Sequence, residues 1–262
     1  MRSLLAAIYR RDPLLAVLGW IHVFFISVYI VSAPWDTRMV LGLNTWIKPM
    51  KWAFSFVIYL WTMALLVWHL PVGWPKRLIR WGVAACVFLE MTCIFVQGAR
   101  ATPSHFNVGS TFDAALFATM TIAALANTLL VFFFLAQLLW HELEMPRAYL
   151  MGMRLGIVLF LIGSLSGMVM LLNQGHTVGA PDGGKGLPFL GWSTAHGDLR
   201  IAHGFGIHAL QVFPLLGWLV SRAFGKRALV AQLLLVAGAG FGYMALFMAL
   251  FRMAVTGQPL FG

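Results

Sequence analysis

Charge is scarce in this chain. Asp, Glu, Lys and Arg together make up 10% of its 262 residues, and only eight of them are acidic. A soluble domain carries about 25% charged residues, so a water-facing globular surface cannot be covered from this composition. Cysteine is nearly missing too: Cys86 and Cys93 stand alone, in one apolar run. Seven residues apart on a helix, they lie about 10 Å apart along its axis, too far for a disulfide. No CxxC, CxxCH or Cys/His zinc spacing occurs, which excludes c-type haem attachment and a zinc ribbon. HExxH, GxSxG, GxGxxG and P-loop patterns are absent as well, so neither those hydrolase classes nor nucleotide binding has support. The last long apolar run, 228–252, has no lysine for a retinal Schiff base.

What is abundant points to lipid. Apolar residues reach 61%, with 26 Gly and 11 Trp, and the mean hydropathy is +0.85. Small residues let helices approach closely in a bilayer, and Trp anchors at its interfaces. A hydrocarbon core about 30 Å thick needs roughly 20 apolar residues per helix. That length predicts seven spans, at 13–33, 50–70, 81–99, 113–140, 149–172, 199–221 and 228–252. The first is too long for a signal-peptide core and has no small-residue cleavage site after it, so it is expected to remain as a membrane helix. The fold class is therefore an all-α polytopic helix bundle forming one domain over 1–262. Gly163-x-x-x-Gly167 and Gly238-x-x-x-Gly242 are close-packing seams, for the bundle itself or for a homodimer.

The net charge of +10 does not indicate nucleic acid, because the basic residues punctuate apolar runs and form no basic stretch with interleaved aromatics. They suit anionic headgroups and the positive-inside rule. Arg2, Arg10, Arg11, Lys76, Arg77, Arg80, Arg147, Arg154, Arg222, Lys226 and Arg227 fall on the N-terminal side, and fewer fall opposite, which predicts N-in and C-out. PVGWPKRLIR and SRAFGKR then read as short inner connections. The outer segments 34–49, 100–112 and 173–198 are longer and richer in polar residues, the last with a PDGG turn signal.

Ionisable residues at membrane depth are costly, on the order of 3 kcal/mol, and functional by default. Glu90 is the one acidic residue in a span interior. Helical spacing puts Cys86, Glu90, Cys93 and Gln97 on one face, which must meet the bundle or a wet cavity. A Glu kept neutral by desolvation there is a candidate proton carrier; the alternative is a structural hydrogen-bonded carboxyl. In the sixth span Asp198 is placed to cap the helix. Arg200 and His203 share one face, while His208 and Gln211 share another. His203 and His208 are about 140° apart around a regular helix, unsuited to binding one metal ion together.

The histidines gather at one boundary. His105, His176, His196 and His203 fall there, with His208 deeper; His22 is mid-depth, and His69 and His141 lie at the other boundary. Imidazoles in number suit a transition metal or haem iron, although each is also an ordinary hydrogen-bonding interfacial residue. Lys48, Lys51 and Arg100 share that boundary and would suit haem propionates, or simply anchor the helices by snorkelling.

Three strings, QGARATPSHFN, HTVGAPDGG with LPFLGWST, and GDLRIAHGFGIHALQ, resemble a group of bacterial polytopic membrane proteins without an assigned activity. The similarity covers about residues 46–220 and implies a bacterial cytoplasmic membrane, but no mechanism. Two functions follow from the residues. The first is a membrane redox or metal protein, an oxidoreductase if an enzyme. It would hold haem b or a transition-metal ion on His208, His203, His105, His176 or His196, with Glu90 as the catalytic proton donor. Arg200, Arg100, Lys48, Lys51, Gln97 and Gln211 would line the cofactor, and electrons would pass to a quinone or a periplasmic carrier. The second is a proton-linked transporter or channel using Glu90, Gln97, His208 and Gln211 without a cofactor.

Overall fold

Each of the seven apolar runs forms a helix in the computed structural model of the chain, which describes residues 2–225 and 227–260; Lys226, one of the basic loop residues above, lies outside them. The described residues form eight helices: α1 Arg2–Arg11, α2 Pro13–Ser32, α3 Ile47–Val67, α4 Trp74–Ala99, α5 Thr111–Trp140, α6 Arg147–Asn173, α7 Leu199–Phe224 and α8 Leu229–Val255. Two short antiparallel ribbons join them, β1 Met39–Val40 with β2 Leu43–Asn44, and β3 Thr177–Val178 with β4 Gly197–Asp198. Helices α2 to α8 are long and apolar enough to cross a membrane, with mean hydropathies from 1.3 to 2.4. Large apolar side chains such as Phe24, Phe132, Leu234 and Phe241 stay exposed along them, as lipid-facing residues would.

Two features differ from the expected pattern. Residues 2–11 form a helix that apolar length could not reveal, since it is only ten residues long. Helix α4 begins at Trp74 rather than near residue 81. Pro75 in its first turn suits a helix start, and two of the basic residues read as a connection, Lys76 and Arg80, find partners from within the helix. Lys76 Nζ donates to the carbonyls of Trp68 and Leu70 at 2.8 and 3.0 Å, closing the end of α3. The Arg80 guanidinium pairs with Asp12, whose other role is to cap α2 through Leu15 N at 3.2 Å.

The chain divides into two compact units, Met1–Phe134 and Leu135–Gly262, with the division falling inside α5. In the first unit, α3 packs against α2 and α4, and α1 lies against α2 and α3. The α2–α3 connection turns through Leu41 and Gly42, both at positive φ, and is tied down by Asp36. That carboxylate receives Arg38 and the Trp46 indole N–H at 2.9 Å. The hydrogen bonds from Arg38 hold Asp36 well below the usual carboxylate range. Arg38 Nη1 and Thr45 Oγ1 then donate to the carbonyls of Ala99 and Gly98, satisfying acceptors that the end of α4 would leave open.

In the second unit α6 and α7 make the most extensive helix contact, and α8 packs on both. Glycine makes that contact possible. A Cβ on Gly163 would lie 2.5 Å from the carbonyl carbon of Gly206, and one on Gly217 would lie 2.4 Å from the carbonyl oxygen of Ala148. The backbones therefore touch directly.

Candidate functional site

The predicted stripe on α4 is buried in the first unit. Cys86, Glu90, Cys93 and Gln97 are all under a tenth exposed, and Gln97 is fully enclosed. Glu90, at 6% exposure, sits about 13 Å from the C-terminal end of α4 at a rise of about 1.5 Å per residue. Its carboxyl makes no hydrogen bond or ion pair with any described residue. It lies close enough to Tyr59 of α3, and to Cys86 and Cys93, to act on them electrostatically. Tyr59 O–H in turn donates to Asn127 Oδ1 of α5 at 2.8 Å. A buried carboxyl without a partner costs free energy, so this position is held by the surrounding packing rather than by its own bonds.

Toward the end of α4 the stripe joins a polar knot. Gln97 Nε2 donates to Asp113 Oδ1 at 2.8 Å, while its Oε1 accepts from Arg100 Nη1 at 2.6 Å and Thr102 Oγ1 at 2.8 Å. Arg100 pairs with Asp113 and lies over the Phe112 ring, 4.9 Å from its centroid. Ser110 Oγ also donates to Asp113, at 2.6 Å. Arg100 is thus committed to a carboxylate of its own chain. Lys48 and Lys51 sit half-buried in the first turns of α3.

The histidines differ in their bonding, although His203 lies near enough to His176 and His208 to interact with both electrostatically. In the first unit, His105 Nδ1 is 3.0 Å from Ser104 Oγ, with the ring among Trp52, Phe106 and Phe117. In the second, His203 turns toward α6, its Nδ1 3.1 Å from both Gly163 O and Ser166 Oγ. His208 bonds along its own helix to Gln211 Oε1 at 3.1 Å. Helix α7 runs unbroken past both. His176 Nδ1 lies 2.5 Å from Asp182 Oδ2 in the 173–198 loop, and the His196 ring, also in that loop, bonds to no described residue. Arg200 folds back onto Asp198, which caps α7 as expected, and onto the Gly191 carbonyl. Among the described residues, no three His, Cys, Asp or Glu side chains come together as a metal-ligand group.

No protein-family model, curated protein or solved structure matches the chain.

Several polar residues at the site were missed from the sequence. Tyr59 and Asn127 are uncharged polar residues in the middle of mostly apolar helices, a signal that reading for charge alone passes over. Asp113, at the start of α5, was legible only as a helix-start acid. His22 and Tyr29, seven residues apart on α2, are both buried. His22 Nδ1 binds the Leu18 carbonyl at 2.7 Å, whereas His22 Nε2 and the Tyr29 hydroxyl have no hydrogen-bond partner among the described residues. His69 lies at the opposite end of α3 from the knot. Burial, with Arg11 and Lys76 nearby, lowers its pKa to about 4, so it is neutral at pH 7.

Proposed function

We propose that the chain is an integral protein of a bacterial cytoplasmic membrane that performs proton-linked transport, with Glu90 as the proton-binding group. The observation that carries this reading is the isolation of Glu90: an acidic side chain enclosed midway along an apolar helix, with no counter-ion and no hydrogen-bond donor among the described residues. A carboxylate cannot remain ionised there cheaply, so its stable form carries a proton. Losing that proton requires a polar route. Gln97 and the Arg100–Asp113 pair supply polar groups toward one end of α4, and Tyr59 with Asn127 supplies them on the other side of Glu90. Orientation follows the basic residues, N-terminus in and C-terminus out.

For the redox reading, His203 lies near enough to His176 and His208 to act with them electrostatically, but no three ligand side chains converge as a metal-binding group among the described residues. Transport needs one exchangeable proton, for which Glu90 is the candidate, and polar groups along its route, for which Gln97, Tyr59 and Asn127 are the candidates. Proteoliposomes carrying the protein should dissipate an imposed pH gradient, and Glu90→Gln, which keeps the shape and removes the titrating group, should slow this at least tenfold. Glu90→Asp should retain part of the flux. Equal flux in wild-type and Glu90→Gln vesicles would exclude Glu90 from the mechanism.

A further inference from the structure

The 173–198 loop encloses a hollow of about 390 Å³ lined by Thr177, Asp182, Lys185, Ser193 and His196 together with loop glycines. We infer that this hollow binds a small oxyanion, a phosphate or carboxylate group, with Lys185, His196 and Ser193 as its donors. The hollow's acidic groups are already used by other donors, and its basic and hydroxyl groups are not. Asp182 is the acid in the wall, and both its oxygens are fully engaged. His176 N reaches them at 3.1 Å, His176 Nδ1 gives Oδ2 a contact of 2.5 Å, and Thr177 N donates to Oδ1 at 2.8 Å. Burial opposes the charge on Asp182, but these bonds outweigh it and hold the carboxyl below the usual range. It stays ionised with no lone pair left for a cation. Asp198 beneath is likewise engaged, with Ser193 N, Arg200 N and the Arg200 guanidinium.

The groups left over are donors. The Lys185 ammonium forms no ion pair or hydrogen bond with a described residue, and neither does the His196 ring. Ser193 Oγ accepts from Ala195 N at 3.3 Å and His196 N at 3.0 Å, which leaves its proton free to donate outward. At Gly184 the space where a side chain would stand is empty, and Gly183 takes φ +94, so a ligand can reach the backbone there. The walls are fixed by the β3–β4 pairing and by the Gly186–Ser193 bridge. A rigid concavity whose uncommitted groups are an ammonium, an imidazole and a hydroxyl favours negative charge.

The test is calorimetric titration of the full-length protein in neutral detergent with inorganic phosphate. Binding is expected, weakened at least tenfold by Lys185→Gln and also weakened by His196→Gln. Both positions are surface-accessible, so thermal melts of these variants should match wild type. If free phosphate gives no heat but nanodiscs containing phosphatidylglycerol bind in a Lys185-dependent manner, the oxyanion is a lipid headgroup and the site stands. Binding of either probe that is unchanged in Lys185→Gln overturns the proposal, as does no binding of either, or preferential binding of calcium ion.

Discussion

Gly163→Val is expected to destabilise the second unit by more than about 3 kcal/mol, enough to prevent recovery of folded protein. Added atoms in a well-packed core cost about 1–3 kcal/mol when neighbouring side chains can yield. Here the neighbour is backbone: a Cβ at 163 would stand 2.5 Å and 2.6 Å from the carbonyl carbon and Cα of Gly206, and 2.7 Å from Ile207 N. Relief requires α6 and α7 to separate along a contact held equally tightly at Gly152 and Gly217. The same motif contains its own control. A Cβ at Gly167 would meet His203 Cε1 at an ordinary 3.5 Å, and at Gly238 it would meet nothing within 4 Å. Gly167→Ala and Gly238→Ala should therefore change stability by less than about 1 kcal/mol, with Gly238→Ala on the favourable side through helix propensity. Thermal unfolding in detergent separates these outcomes; a Gly163→Val protein melting like wild type would refute the direct backbone contact.

Asp12→Ala is the second large effect, expected to cost about 3 kcal/mol. Asp12 is almost fully enclosed and does two jobs. It caps α2, a contribution of about 1 kcal/mol, and it neutralises Arg80 of α4, whose Nε and Nη2 donate to its two carboxylate oxygens. Removing one partner of a buried pair costs about 3–5 kcal/mol because the other charge is stranded. The Arg80 side chain is a quarter exposed, which places the loss toward the lower end of that range. Arg80→Ala should cost a comparable amount, and the double variant less than the sum. Additive losses would show that the pair does not act as a unit.

The features legible in the sequence were those set by one-dimensional spacing. Apolar length located seven helices, three-and-four spacing put Cys86, Glu90, Cys93 and Gln97 on one buried face, and the position of Asp198 announced its cap. What spacing cannot encode is partner choice. Asp12 and Arg80 are 68 residues apart, and Arg80 was read as a loop cation. Arg100 was read as a cofactor or headgroup contact and Lys76 as a residue of a connection, although one answers Asp113 and the other closes α3. The histidines illustrate the same limit. Their common depth in the sequence suggested one cluster but not their bonds: His203 bonds to α6 and His208 along α7, with His176 and His208 both near enough to His203 to act on it electrostatically. Gly163 and Gly167 form one motif by spacing, and only Gly163 meets backbone.

The claim that Glu90 holds and releases a proton is tested most directly by infrared difference spectroscopy of the protein in lipid, recorded between acid and alkaline pH. A carboxylic-acid C=O band that disappears on alkalinisation, and that is missing from Glu90→Gln at every pH, is the predicted result. Spectra that are identical for wild type and Glu90→Gln in the carboxylic-acid region would contradict it.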